Sequence, residues 1–188
     1  IDLLKTRVDV LYLDSPTDYR LDRLKGYPVW FKPLGSFARS EMDNAFIRMT
    51  GGAEAKRTNI AVKGREVIIP SSAQGVARFE FTDLCAANLG AVDYLELART
   101  FHTIFIDNIP VLSPERRNEA IRFVNLIDAL YEHKVKLLAS AEANPSELYP
   151  LGDSAFEFRR TASRLHEMLS EDYFSLGHNS GADMIEEA

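Results

Sequence analysis

Two arginines one helical turn apart are the residues of this sequence whose types and spacing best suit chemistry. Arg160 and Arg164 fall in a segment with helical periodicity, so both guanidinium groups are expected on one face of a helix. Like charges at this spacing repel each other unless carboxylates or a bound anion compensate them. Glu157 and Glu167, each three residues away, offer such carboxylates within the same helix. The alternatives are contact with an anion or nucleotide, or docking against a neighbouring subunit.

Asp107 is a second candidate, because it follows the apolar run from Ile104 to Ile106. An acid directly after a buried strand is typical of the magnesium site of P-loop ATPases. The next residue is Asn108, however, where an ATPase usually carries a catalytic glutamate, and the sequence contains no G-x-x-x-x-G-K-[ST] phosphate loop. The favoured interpretation is therefore that Asp107 only ends a strand.

Metal binding and serine hydrolase chemistry have little support in the sequence. The four histidines show no zinc-ligand spacing, and Cys85 is the only cysteine, so protein ligands alone do not predict a metal site. No G-x-S-x-G elbow is present, and Ser140 lies in Ala-Ser-Ala. The single cysteine also excludes an intramolecular disulfide, which fits a reducing compartment.

The segment from Phe101 to Glu142 predicts the elements that position these residues. Its two ends, 103–106 and 135–139, are short apolar runs typical of strands. Between them Ser113 and Pro114 signal the start of a helix. The apolar face of that helix is expected at Ala120, Phe123, Val124, Ile127, Leu130 and Tyr131. Strand, helix and strand of this length form a βαβ unit of a parallel or mixed sheet.

The rest of the chain predicts a hairpin and further helices around this unit. Strands are expected at 8–13, 28–32, 59–62, 66–69 and 76–81, with a tight turn at 63–65. Helices are expected at 36–49, with Phe37 on the apolar side, at 93–100 and at 156–172. Together these elements predict an α/β fold: a mixed sheet with an N-terminal antiparallel hairpin portion and a C-terminal βαβ unit, covered by helices.

Composition limits the functions that are open to the chain. Its 188 residues are 46% apolar and 27% charged, which is ordinary for a globular domain. The net charge of −6 argues against general nucleic-acid binding, which needs a basic surface. No apolar run approaches the roughly 20 residues of a membrane span, and no signal peptide is visible. A cytoplasmic protein is expected. Because the chain begins with Ile1 and its first residues resemble a helix end, we expect a fragment of a longer protein.

Several blocks in a fixed order carry a resemblance to a known family. They are DYRL at 18–21, RFEFTDLC at 78–85, DYLELARTFHTIFIDNIPVL at 93–112, EAIRFVNLIDALYEHKVKLLASAE at 119–142 and FEFRRTASRLHEMLSEDY at 156–173. Together they resemble the C-terminal part of the ZapE-like ATPases, bacterial cell-division ATPases with mitochondrial relatives in the AAA+ P-loop class. The resemblance predicts one domain at 1–174. Residues 175–188 lack periodicity and contain Gly, Asn and Glu, which predicts a flexible tail.

The resemblance implies a function for the full-length protein that this chain alone is not expected to have. The full-length protein is expected to bind and hydrolyse ATP with magnesium and to act on division or other client proteins, with recruitment to the division site and a homo-oligomer as further options. In the family, the phosphate loop and the magnesium site precede the stretch that matches Ile1, so the chain alone is expected to hold no cofactor and to be inactive. Arg160 and Arg164 fall on the family's R-x-x-S-R-L pattern, which implies contact with nucleotide or with a neighbouring subunit. The alternative function is a non-catalytic protein-interaction or oligomerisation module.

Overall fold

The computed structural model describes residues 26–151 and 155–179. The strand expected at 8–13 and the DYRL block at 18–21 lie outside the described residues. Among the helices that are described, none combines the length and the apolar character that crossing a membrane requires.

A mixed sheet forms the centre of the described part of the chain. Its six strands lie in the order β1-β6-β5-β4-β3-β2. Their bounds are Trp30–Phe31 for β1, Lys56–Val62 for β2, Arg65–Ala73 for β3, Val76–Glu80 for β4, Thr103–Ile109 for β5 and Lys136–Ala141 for β6. Strands β2, β3 and β4 pair antiparallel, whereas β4, β5, β6 and β1 pair parallel. This confirms the predicted α/β fold with its hairpin portion and its βαβ unit.

Five α-helices and three short turns connect and cover the strands in the described residues. The helices are Ser36–Thr50 (α1), Ala91–Thr100 (α2), Arg117–Glu132 (α3), Ala155–Met168 (α4) and Glu171–Ser175 (α5). The turns are a π-helical turn at Thr82–Ala86 and 3-10 turns at Pro114–Arg116 and Pro145–Glu147.

The sheet buries apolar side chains on both faces. On one face, α1 packs Met42, Phe46 and Met49 against Phe105 of β5, and the rings of Phe46 and Phe105 meet edge to face at 5.2 Å. On the other face, α2, α3 and α4 enclose the larger core, to which α3 contributes Phe123 among others. The described residues therefore form three layers, helix, sheet and helices.

The hairpin between β2 and β3 turns through Lys63 and Gly64. Both residues have positive φ, 45° and 82°, which is the backbone conformation of a two-residue type I′ turn. Glycine adopts this conformation without strain, so the Lys-Gly pair explains why the chain reverses here.

The last predicted helix, at 156–172, is wrong in its length. The chain forms α4 and then the separate helix α5, because Ser170 leaves the helical conformation at ψ 151° and caps the new helix. Its hydroxyl accepts a hydrogen bond from the backbone N–H of Tyr173 at 3.2 Å. The apolar side chains of both helices continue the same core, so their spacing alone did not reveal the break.

Three local predictions also differ from the structure. Strand β5 continues past Asp107 to Ile109, so the carboxylate lies inside the strand and does not end it. Phe37 is 70% exposed and belongs to the outer side of α1. Ser113 and Pro114 do mark the start of the 3-10 turn that leads into α3, but Ser113 makes no capping bond; its hydroxyl instead bonds to Glu115 and lowers the pKa of that carboxyl.

The segment after α5 is held against the sheet by a buried lysine. The Lys136 ammonium, at the start of β6, donates hydrogen bonds to the carbonyl oxygens of Tyr173 at 2.9 Å and Leu176 at 2.6 Å. The backbone N–H of Asn179 donates to the carbonyl of His133 at 3.0 Å. Residues 176–179 therefore contact the body of the fold, while the domain boundary at residue 174 stays a prediction.

Candidate functional site

Arg160 and Arg164 of α4 face α3 and share one of its carboxylates. Arg160 Nη2 donates to Asp128 Oδ2 at 3.0 Å, and Arg164 forms an ion pair with the other oxygen of Asp128. Arg164 Nη2 also reaches Glu132 Oε1 at 3.2 Å. The pattern therefore correctly placed both arginines on one face, but the carboxylates that compensate them come from the neighbouring helix. The prediction of pairs with Glu157 and Glu167 is wrong.

The two arginines differ in how firmly they are held. The Arg164 side chain is 22% exposed, has two carboxylate partners and lies 4.9 Å over the ring of Tyr131. The Arg160 side chain is 64% exposed and is bound through Asp128. Arg164 thus joins α4 to α3, whereas most of the Arg160 side chain is open to solvent and to a further partner.

Tyr131 extends this contact to the next helix. Its hydroxyl donates a hydrogen bond to Glu167 Oε2 at 2.9 Å, which raises the pKa of Tyr131. Its ring stacks on the ring of Tyr173, with 5.8 Å between the centroids. Glu167, expected to compensate an arginine, is therefore occupied by a tyrosine.

A second polar cluster lies where the parallel strands end, beside α1. Asp107 of β5 is buried, and Arg78 of the adjacent strand β4 grips both of its oxygens, with distances of 2.5 Å from Nε and 3.1 Å from Nη2. The remaining Arg78 nitrogen donates to Asp43 Oδ1 of α1 at 2.6 Å. Ser140 Oγ lies 3.5 Å from Asp107. These four side chains line a cavity of about 320 Å³ at the carboxyl edge of the sheet.

The charges of Asp107 and Asp43 stabilise the charged form of Arg78 in this cluster. Burial by itself lowers the pKa of Arg78, but the hydrogen bonds and charges of Asp107 and Asp43 outweigh that effect and raise it above its ordinary value. The guanidinium is therefore permanently charged, and it occupies the carboxylate edge at which a cation would bind.

A β-bulge sets the geometry next to Asp107. The strand register shifts between Ile106 and Ile109, and Asn108 adopts a positive φ of 60°. Its backbone N–H donates to Ser140 Oγ at 2.9 Å, and its side-chain amide donates to Glu80 Oε2 at 2.9 Å. The bulge turns the Asn108 side chain toward β4, where it serves a structural contact.

This cluster does not fit a magnesium-nucleotide site. Both oxygens of Asp107 bind Arg78, the neighbouring side chain is an amide, and the sequence has no phosphate loop. Within residues 26–151 and 155–179, no group of three or more histidine, cysteine or acidic side chains is arranged to hold a metal ion.

Sequence reasoning found Asp107 but missed Arg78 and Asp43. The sequence places Arg78 only within the strand expected at 76–81, and Asp43 only within the helix expected at 36–49. The signal that existed was a charged residue in each of two neighbouring strands, yet their contact depends on the parallel register that aligns Arg78 with Phe105 and Glu80 with Asp107.

Comparison with known proteins decides the family. A family model described as AFG1-like ATPase matches residues 1–176. The chain belongs to the AFG1-like ATPase family. The similarity includes the helix that carries Arg160 and Arg164 and the strands that carry Arg78 and Asp107.

Curated proteins that are similar to this chain come from bacteria and eukaryotes. It is 35% identical to the cell division protein ZapE of Escherichia coli K12 over 181 residues, which are 96% of this chain and 48% of that protein. It is 36% identical to uncharacterized protein C115.02c of Schizosaccharomyces pombe over 156 residues, 82% of this chain and 34% of that protein. Lactation elevated protein 1 homolog B of Danio rerio is 29% identical over 222 residues, 96% of this chain and 43% of that protein.

These alignments confirm the resemblance to ZapE-like ATPases. The chain spans about half the length of the E. coli protein that it matches. No solved structure matches it.

Proposed function

We propose that the full-length protein is a magnesium-dependent ATP hydrolase that acts on division or other client proteins in the cytoplasm. The observation that carries this proposal is the match of residues 1–176 to the AFG1-like ATPase family, together with 35% identity to a cell division protein. Recruitment to the division site is part of the same proposal.

We further propose that this chain, taken alone, does not hydrolyse ATP. Its sequence has no G-x-x-x-x-G-K-[ST] phosphate loop, and its strand carboxylate Asp107 is bound by Arg78. ATP and magnesium are therefore cofactors of the full-length protein only. Titration of the purified chain with ATP and magnesium should give no binding isotherm, and saturable micromolar binding would contradict this part of the proposal.

Arg160 is the residue of this chain that we propose contacts nucleotide or a neighbouring subunit. Its side chain is 64% exposed, and a planar guanidinium suits phosphate or carboxylate oxygens. Arg164 acts with it as a positioning residue, because its bonds to Asp128 and Glu132 fix α4 against α3. Both residues thus serve the proposed ATPase, one by contact and one by placement.

Alanine substitution in the full-length protein tests this assignment. We expect Arg160→Ala to lower ATP turnover by roughly tenfold or more, since a charge-assisted contact is lost. Arg117→Ala removes an exposed arginine at the start of α3 and is the matched control, with turnover expected near that of the unsubstituted protein. Equal turnover in all three proteins would overturn the role of Arg160.

A non-catalytic interaction module is the second candidate function, and exposed apolar side chains favour it. Phe156 is 75% exposed, Leu151 is 70% exposed and Phe37 is 70% exposed. Large apolar groups in water are frequent at protein-protein contacts. The ATPase function and the interaction function are compatible if this chain is the part of the ATPase that binds partner proteins.

A further inference from the structure

A second cavity lies on the opposite flank of α4 from Arg160 and Arg164. It has a volume of about 280 Å³ and is enclosed by α4 and the segment that includes the 3-10 turn Pro145–Glu147. Its walls combine the apolar surfaces of Tyr149, Phe158 and Ala162 with the polar groups of Arg159, Ser163 and His166. Sites for cofactors and drug-sized molecules usually measure roughly 300–1,000 Å³, so this one suits one or two side chains.

The charge of the cavity differs from that of the chain. Among the described residues, the lining includes Arg159 and His166 and no carboxylate, although the chain as a whole has a net charge of −6. In the described residues the Arg159 guanidinium has no acidic partner, whereas Arg160 and Arg164 on the same helix are both paired. Arg159 therefore offers its donors to an anionic group that arrives from outside.

Tyr149, one of the lining residues, carries an unsatisfied buried hydroxyl. Tyr149 is 3% exposed, and within residues 26–151 and 155–179 its hydroxyl has no hydrogen-bond partner. Buried hydroxyl groups are normally bonded, because burial without a partner costs free energy. A polar atom that reaches this hydroxyl from the cavity would remove that cost.

An aromatic side chain lies beside Arg159, outside the lining of the cavity. Phe156 is 75% exposed, and the Arg159 guanidinium lies 4.9 Å from the centre of its ring. This stacking holds the charge beside an apolar surface. A ligand that reaches Arg159 therefore also meets an aromatic side chain.

We propose that this cavity binds an acidic peptide segment of a protein partner. An apolar side chain of the peptide packs on Phe158 and Ala162, and a neighbouring carboxylate accepts hydrogen bonds from Arg159 and His166. The Tyr149 hydroxyl donates to a peptide oxygen. This inference goes beyond the proposed ATPase, because it uses the other flank of α4 and needs no nucleotide.

A peptide titration tests the proposal on the full-length protein. The probe is the peptide Asp-Glu-Phe-Asp-Glu amide with fluorescein on its N-terminal amine, and binding is followed by fluorescence anisotropy without nucleotide. A second peptide with Lys at every acidic position and a third with Ala in place of Phe complete the set. We expect the acidic aromatic peptide to bind. Each of the other two peptides should bind more weakly, by a factor of roughly ten or more.

Substitutions in the protein locate the binding. Arg159→Glu should weaken binding of the acidic peptide by roughly tenfold or more, since an attraction becomes a repulsion. The matched control is Arg117→Glu, an equal charge change at an exposed arginine that does not line the cavity. Ser163→Trp should also abolish binding, because Ser163 is an exposed residue of the lining and the larger side chain fills the space.

Tyr149→Phe separates a binding role from a structural one. Removing an unsatisfied buried hydroxyl should leave the melting temperature of the protein equal or higher. The same change should lower its affinity for the acidic peptide by several-fold. Two results would overturn the proposal: acidic and basic peptides that bind equally, or an Arg159→Glu protein that binds as tightly as the Arg117→Glu control. Neither result bears on ATP turnover, so the proposed ATPase is tested separately.

Discussion

At the scale of single residues, the pair of Arg78 and Asp107 concentrates charge in a place that water hardly reaches. Their side chains are 20% and 9% exposed. Asp107→Ala leaves the guanidinium with the exposed Asp43 as its carboxylate partner. We therefore expect the free energy of unfolding, measured by urea denaturation, to fall by roughly 3 kcal/mol.

Asp43→Ala is the control for this experiment. The Asp43 side chain is 54% exposed, so its bond to the same guanidinium is screened by solvent. Its loss should cost about 1 kcal/mol or less. Equal losses in the two variants would show that burial does not decide the strength of this pair.

Residue patterns in the sequence indicated which side chains were polar within apolar runs, but not which of them meet. Asp107 stood out because three apolar residues precede it. Its partner Arg78 is 29 positions away, and only the parallel register of β4 and β5 brings the two together. The cavity beside Tyr149 escaped sequence reasoning for the same reason, since Arg159 and Tyr149 are brought together by packing of α4 on the preceding turn.

At the scale of elements, Arg164 and Arg160 both connect α4 to α3, but we expect them to contribute differently to stability. Arg164→Ala should lower the free energy of unfolding by roughly 1–2 kcal/mol, because a largely buried guanidinium loses two carboxylates and an aromatic ring. Arg160→Ala should cost about 0.5 kcal/mol or less, since that side chain is mostly exposed. Urea denaturation of the two variants side by side checks the difference.

This comparison also sharpens the ATPase test. If Arg160→Ala lowers turnover while its unfolding curve stays close to that of the unsubstituted protein, the loss comes from a missing contact and not from unfolding. A larger loss of stability in Arg160→Ala than in Arg164→Ala would contradict the assignment of Arg164 as the residue that holds the helices together.

Individual elements were predictable where periodicity and breakers agreed. Helix α1 ends at Thr50 because Gly51 and Gly52 follow it with positive φ. The break between α4 and α5 was not predictable in this way, because Ser170 interrupts a helix whose apolar stripe continues beyond it. A single capping hydroxyl is a weak signal beside seventeen residues of helical pattern at 156–172.

At the scale of the whole molecule, buried groups that keep their protons make stability depend on pH. Burial raises the pKa of the Cys85 thiol and of the Tyr94 and Tyr173 hydroxyls. The unfolded chain releases these protons above their ordinary pKa values of 9.0 for cysteine and 10.0 for tyrosine, whereas the folded chain retains them. Stability is therefore fully present below about pH 9 and declines as the pH rises further.

Urea denaturation between about pH 8 and pH 10.5 measures this decline, which should approach 1.4 kcal/mol per pH unit for each group that titrates. In Cys85→Ala the decline should begin nearer pH 10, where only the tyrosines contribute. Stability that is constant over the whole range, or an unchanged onset in the variant, would contradict the assignment.

The overall architecture was within reach of the sequence, but the order of the strands was not. Local pattern predicts the β2–β3 hairpin and the β5–α3–β6 unit, because each is made by neighbouring parts of the chain. Strand β1 has two residues and pairs with β6, where Trp30 meets Ala139 across more than one hundred positions. No short-range pattern encodes such a pairing, which depends on the shared core of α1 and the sheet.

Burial of the Lys136 ammonium depends on residues that follow it late in the chain. Its acceptors at Tyr173 and Leu176 follow it by 37 and 40 positions. While the chain is being synthesised, β6 emerges before these carbonyl groups exist, so its first residue must stay hydrated and the end of the sheet cannot close around it. The Lys136 ammonium can therefore be buried with its hydrogen bonds made only after Tyr173 and Leu176 have been synthesised, when nearly the whole described chain exists.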